Sequence, residues 1–207
     1  MSGFKPSHRS LALLAVAVAV AAGTAFASTA PASEPDEPAR ATAPSGPVTS
    51  SLKGWGRMDY PDPGHDIQVT VDAHAVFKGV GWSKPDTSWG TFRVYHRMPG
   101  ADGRPETVNW GDFEVDCLTT GGPTATVTGR IVGTGGDAGG WDDYLKRHVR
   151  MGVSFYVGAG KGSGPSRIGL SGGTEAGEPL LSTCMAPAAD AKVIKGGYHL
   201  TDRTPAR

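Results

Sequence analysis

The stretch "IQVTVDAHAVF" (residues 67–77) alternates without a fault. Ile67, Val69, Val71, Ala73, Ala75 and Phe77 fall on one face of an extended strand, and Gln68, Thr70, Asp72 and His74 on the other. That period of two belongs to a half-buried strand and would be scattered around a helix. It recurs along the chain. "WGRMDY" is a weak first strand closed by the turn "PDPG". "GTFRVYH" sets Phe92, Val94 and His96 against Arg93 and Tyr95, and "DFEVDCL" sets Phe113, Val115 and Cys117 against Glu114 and Asp116. "TATVTGRIV" sets Ala125, Val127 and Ile131 against Thr124, Thr126, Thr128 and Arg130. "HVRMGVSFYV" follows, and "SRIGL" and "GGYHLT" end the series. Only "WDDYLKRH" can make a turn of amphipathic helix. Clean in–out alternation implies antiparallel sheets with one solvated face. The expected fold is therefore all-β, an antiparallel β-sandwich or flattened barrel of about eight strands held by one disulfide. The 31 glycines and 16 prolines suit many short strands joined by tight turns.

The first residues have a different character. Lys5, His8 and Arg9 precede the apolar run "LALLAVAVAVAA", and "AFA" (residues 25–27) supplies the small residues a signal peptidase reads. This predicts a signal peptide over 1–27, cut after Ala27 because Pro31 would follow a cut after Ala30. The run is short of the ~20 apolar residues that span a bilayer, so no membrane span is expected once the leader is removed. Residues 28–52, rich in Pro, Ala, Ser and Thr, cannot bury enough surface to order themselves and read as a disordered spacer or pro-segment. Residues 53–207 then form a single secreted β domain, extracellular in location. The whole chain has 20 basic and 20 acidic residues, and loss of Lys5 and Arg9 leaves the mature chain acidic by two charges. That argues against nucleic acid and anionic membranes as partners, which call for a concentrated positive field. Two cysteines in an exported chain are most simply a disulfide, Cys117 to Cys184.

Candidate chemistry is sparse. Asp72 and His74 share the polar face of one strand and are candidate metal ligands or an acid–base pair, but zinc wants at least three converging protein ligands. His96 aligns with Phe92 and Val94, on the apolar side of its own strand, so it should point away from Asp72 and His74. "LSGG" (170–173), which with Gly169 before it spells "GxSxG", reads as a plain turn after a strand rather than as a nucleophile elbow. Asp112, Glu114 and Asp116 alternate along one strand face and read as solubilising rather than as a carboxylate pair across a cleft. "GAGKGSG" lacks the "GK[ST]" ending of a phosphate loop and reads as a flexible hairpin. Of Trp55, Trp82, Trp89, Trp110 and Trp141, three or four are expected to plug the ends of the fold. Trp82 and Trp89, flanking "SKPDTS", are the candidates for stacking on a ligand.

Four phrases, "HDIQVTVDAHAVF", "GTFRVYHRMPG", "FEVDCLTTGGPTATVTGRIV" and "RHVRMGVSFYV…STCMAPA", resemble the small secreted actinobacterial proteins of the repetin-like family. The likeness runs from about Gly54 to Leu200, and "VDCLTTGGPTATVTG" is its most specific piece. It implies the extent of the domain, paired cysteines and export, and assigns no activity. "IGLSGG" and "YVGAG" stand where that family would carry a tryptophan and an acidic residue near the last strands. Together these features predict a non-catalytic domain without cofactor, acting by binding or structurally at the cell exterior, with a cell-wall or polysaccharide surface as partner. The competing class is a small extracellular hydrolase, metal-assisted through Asp72 and His74.

Overall fold

A computed structural model describes residues 46–203 apart from 63, 80–81, 101, 138–140, 159–163 and 173–180. The expected leader, most of the expected spacer and the centre of "GAGKGSG" lie outside the described residues. The strands are β1 (Val48–Met58), β2 (Asp66–Phe77), β3 (Thr87–Met98), β4 (Thr107–Gly121), β5 (Thr124–Gly136), β6 (Arg150–Tyr156), β7 (Arg167–Leu170) and β8 (Ala191–Arg203). A short helix, α1 (Asp142–Lys146), precedes β6. Each strand pairs antiparallel with the next, and β8 returns to pair with β1 from Thr49↔Arg203 to Met58↔Val193, closing an up-and-down barrel. Of the two all-β alternatives the closed barrel is realised, and closure removes both sheet edges. β1 begins at Val48, inside the stretch read as spacer, because Ser50 and Leu52 face the interior and Leu52 is fully buried.

The turn chemistry is local. Gly64 (φ 87) completes the β1–β2 turn, where the His65 amide donates to Asp62 O at 3.3 Å. Gly122 (φ 57) lets the β4–β5 hairpin reverse, and Thr124 Oγ1 donates to Gly121 O at 2.7 Å.

The interior is filled by side chains. Phe92 and Phe113, directly paired across β3 and β4, stack with ring centroids 4.6 Å apart, and Phe155 meets Tyr198 edge-on at 4.8 Å. Tyr198 donates its hydroxyl to Val69 O at 2.9 Å, and burial raises its pKa far above the usual phenolic range. Small residues face these rings, as a narrow barrel requires: a Cβ on Gly56 would overlap the Tyr198 ring, and one on Gly129 would overlap Phe92. One end is stopped by Trp141, whose indole occupies the space a Gly111 side chain would take and meets Phe113 edge-on at 6.0 Å. Trp141 plugs the barrel as expected, but the other four tryptophans do not. Trp55 and Trp110 point outward, and their rings lie over Gly196 and Gly135, where any side chain would overlap them; Trp82 and Trp89 are exposed. Period-2 register sends Trp55, Trp89 and Trp110 to the outer face, Trp82 lies on the loop between β2 and β3, and outward glycines give Trp55 and Trp110 a flat seat.

Strict alternation fails in β4. A bulge between Val115 and Cys117 makes Asp116 an extra residue, with Val115 opposite Gly129 and Cys117 opposite Thr128. Cys117 thus leaves the inner face expected for it, and Leu118 takes its place in the core. The outer side there is covered by residues 181–190, a strap that crosses β5, β6 and β7. Cys184 joins Cys117 in the expected disulfide, and its amide donates to Thr128 Oγ1 at 3.1 Å. Ser154 Oγ donates to Pro187 O. Side chains at Gly152 or Gly169 would overlap the strap carbonyls of Met185 and Ala188. Thr128, expected on the solvated face, is therefore fully buried. Asp116 also sits beneath the strap rather than keeping the sheet soluble. It accepts from Thr128 Oγ1 at 2.5 Å and from Arg150 Nε at 2.7 Å, while Arg150 Nη1 donates to Leu181 O at 3.1 Å. The strap leads into β8 at the least-paired part of the wall, where β7 and β8 share two residue pairs, Arg167↔Lys192 and Ile168↔Ala191.

Candidate functional site on the outer face

The opening stretch is β2, and its polar face is the outer wall. Pairing aligns Ser51, His74 and Trp89 in one row and Lys53, Asp72 and Thr91 in the next. His74 Nε2 lies 2.8 Å from Asp72 Oδ1, and Lys53 Nζ 3.1 Å from Asp72 Oδ2. The slight burial of Asp72 pushes its pKa up, but the bonds from Lys53 and His74 outweigh this and hold it below the usual value. His74 in turn stacks on Trp89, centroids 5.3 Å apart and planes 13° from parallel. The chain Lys53–Asp72–His74–Trp89 fixes one indole against an imidazole while leaving it 48% exposed. A shallow groove of about 300 Å³ borders it, lined with hydroxyls from Thr49, Ser51 and Thr201.

Asp72 and His74 are thus brought together, and both carboxylate oxygens of Asp72 are engaged. Among the described residues, no group of three or more His, Cys, Asp or Glu side chains could hold a metal ion. His96 points away from them, as its register predicts, and pairs opposite Ile67 at the far end of the barrel. Ser171 of the "LSGG" turn accepts the Gly152 amide at 2.9 Å, so its hydroxyl serves the wall. Asp112 holds Arg93 through bonds of 2.6 and 2.7 Å, and the guanidinium lies 4.3 Å from the Trp110 ring centroid. Trp82 is 57% exposed on the β2–β3 loop, with Lys78 Nζ 5.5 Å from its ring centroid. No family model, curated protein or solved structure matches the chain.

Two features escaped the sequence reading. The row Gln68, Tyr95, Trp110 crosses three strands, and Trp55, opposite Thr70 on β1, reaches it diagonally with Nε1 donating to Gln68 Oε1 at 2.9 Å; it needed the register. The other is an imidazole pair, His65 Nδ1 to His96 Nε2 at 2.8 Å, with Tyr60 ring contacts of 5.5 and 6.3 Å. Burial first, and the neighbouring His65 second, lower the pKa of His96 below 6.5. A histidine depressed in the folded state binds its proton more readily when unfolded, so its contribution is intact above about pH 6.5 and is lost as pH falls below it. Melting temperature should accordingly drop between pH 7.5 and 5.5, and a His96→Phe variant should show a flatter profile over that interval. Parallel profiles for the two proteins would refute this assignment.

Proposed function

We propose that the mature barrel is an exported, non-catalytic binding domain that takes a glycan on its outer wall at Trp89. One observation carries this reading: an exposed indole held by stacking on His74, beside a groove lined with hydroxyls. A fixed aromatic face supplies apolar area at little conformational cost, and nearby hydroxyls orient a polyhydroxylated ring by hydrogen bonds. The filled interior supports an outer-wall site over a ligand inside the barrel. Export rests on the leader pattern and on the disulfide, which persists in oxidising compartments. Among the described residues no helix is long and apolar enough to cross a membrane. The resemblance to secreted repetin-like proteins agrees with this placement.

Affinity electrophoresis through gels containing soluble polysaccharides tests the site directly. Wild type should be retarded by at least one polymer, and Trp89→Ala should weaken binding about ten-fold, the loss of roughly 1.4 kcal/mol of stacking and burial. Trp55→Ala, on the same wall away from the groove, should bind as wild type does. Free migration of wild type in every gel, or equal retardation of Trp89→Ala, would overturn the reading.

A further inference from the structure

Three successive rows of outward side chains cross this part of the wall, set by the unbroken pairing of β1 with β2 and of β2 with β3. The first is Ser51, His74, Trp89, the second Lys53, Asp72, Thr91, and the third Trp55, Thr70, Arg93, which continues to Asp112 on β4. Phe92 and Val94 alternate with them and are buried, so Thr91 and Arg93 face outward as Trp89 does. A second groove, of about 300 Å³, lies between the second and third rows, lined by Thr70, Asp72, Thr91, Arg93 and Asp112. It meets the Trp89 groove on the outer face itself. Asp72 lines the second groove, Lys53 and His74 line the first, and Asp72 bonds to them at 3.1 and 2.8 Å. A strand advances about 3.4 Å per residue, so Trp89 and Arg93 stand ~13 Å apart along β3, the length of roughly three sugar rings in an extended chain.

The far end is held as firmly as the near one. Arg93 donates to Asp112 through Nε at 2.6 Å and Nη2 at 2.7 Å, and its guanidinium lies 4.3 Å from the Trp110 ring centroid. A planar group fixed by a carboxylate and an indole loses little freedom when its remaining donors meet a ligand. Trp55 stays out of this groove, because its ring turns over Gly196 on β8. Each cation along the path is bonded to a carboxylate, Lys53 to Asp72 and Arg93 to Asp112. Paired charges place donors and acceptors side by side with little net field. That suits sugar hydroxyls, which both donate and accept, better than it suits an anion.

We infer that the two grooves form one extended site for a neutral linear glycan, which runs along β3 from a ring on Trp89 to a later unit at Arg93. This rests on the glycan reading of the Trp89 site and adds the length, shape and charge of the ligand.

Titration calorimetry tests the inference on the mature chain, with oligomers of two to six units prepared from the neutral linear polymer that retards it most in the gels. Affinity should rise about ten-fold between the two-unit and the four-unit oligomer and then level off. Arg93→Ala, a change on the exposed wall, should abolish that rise and leave the two-unit oligomer bound as by wild type. Trp89→Ala should weaken every length. Trp89-dependent binding that is already complete with two units would overturn the extended site and leave the glycan reading standing. A rise unchanged in Arg93→Ala would remove the second groove from the site. Retardation by acidic or branched polymers alone would overturn the neutral linear ligand and again leave the glycan reading intact. Free migration in every gel would overturn both.

Discussion

Replacing Cys117 and Cys184 together by alanine should destabilise the barrel by about 4 kcal/mol. The bridge joins positions 67 residues apart, and freeing a loop of that length restores roughly this much conformational entropy to the unfolded chain. Against the ~5–15 kcal/mol net stability of a typical domain the loss is large. The folded state should change as well. Cys184 sits at φ 65, a left-handed conformation that a residue with a side chain adopts at a cost of about 1 kcal/mol or more, and the bridge helps to hold it there. Without it the strap is left with its bonds to Thr128, Ser154 and Arg150, and it leads into a strand that shares few pairs with β7. Urea unfolding should show the lowered midpoint, and amide exchange should quicken at Cys184 before it does in β4 or β5. A variant with an unchanged midpoint, or one losing protection uniformly, would show that the strap is not held by the bridge.

Phe113→Ala should cost about 3–5 kcal/mol, the range for deleting a fully buried aromatic ring. Phe113 is inaccessible to solvent, stacks on Phe92 and carries the edge of Trp141. Its removal opens the centre of the barrel and loosens the plug at one end, and a closed wall of paired strands has little freedom to collapse around the void. Because Phe92 and Phe113 touch, the Phe92→Ala/Phe113→Ala double variant should lose less than the sum of the single losses. Denaturation of the four proteins of that cycle measures the coupling. A loss under 1 kcal/mol for Phe113→Ala, or strictly additive losses, would show that the stacked pair does not organise the core.

The legibility of this protein varies with the range of the interaction concerned. The faces of β2 could be read residue by residue, because alternation depends on chain neighbours alone: Ile67, Val69, Val71, Ala73, Ala75 and Phe77 are all buried. The same reasoning sent His96 away from Asp72 and His74. It misassigned Cys117, since one extra residue at Asp116 reverses every later position in β4, and nothing near "EVDCL" announces a bulge. It left Thr128 on an open surface because the segment that covers it arrives some fifty residues later. It took most of the tryptophans as plugs, when only Trp141 is one, and Trp55 and Trp110 sit outside on glycines of neighbouring strands.

The candidate site divides in the same way. Asp72, His74, Trp82 and Trp89 could be named from composition and alternation. That His74 would support Trp89, and that Lys53 would hold Asp72 beside it, required the register of β1 on β2 and β2 on β3. By itself the sequence determined that the chain makes antiparallel strands, which side chains of most of them face inward, and that its two cysteines would pair. Those properties follow from local geometry and from an even cysteine count in an oxidising compartment. The tertiary structure alone decided that β8 would return to β1 and close the wall, where the bulge falls, and what the strap covers. Each of these depends on hydrogen bonds and packing between segments far apart in the chain, which strand periodicity does not encode.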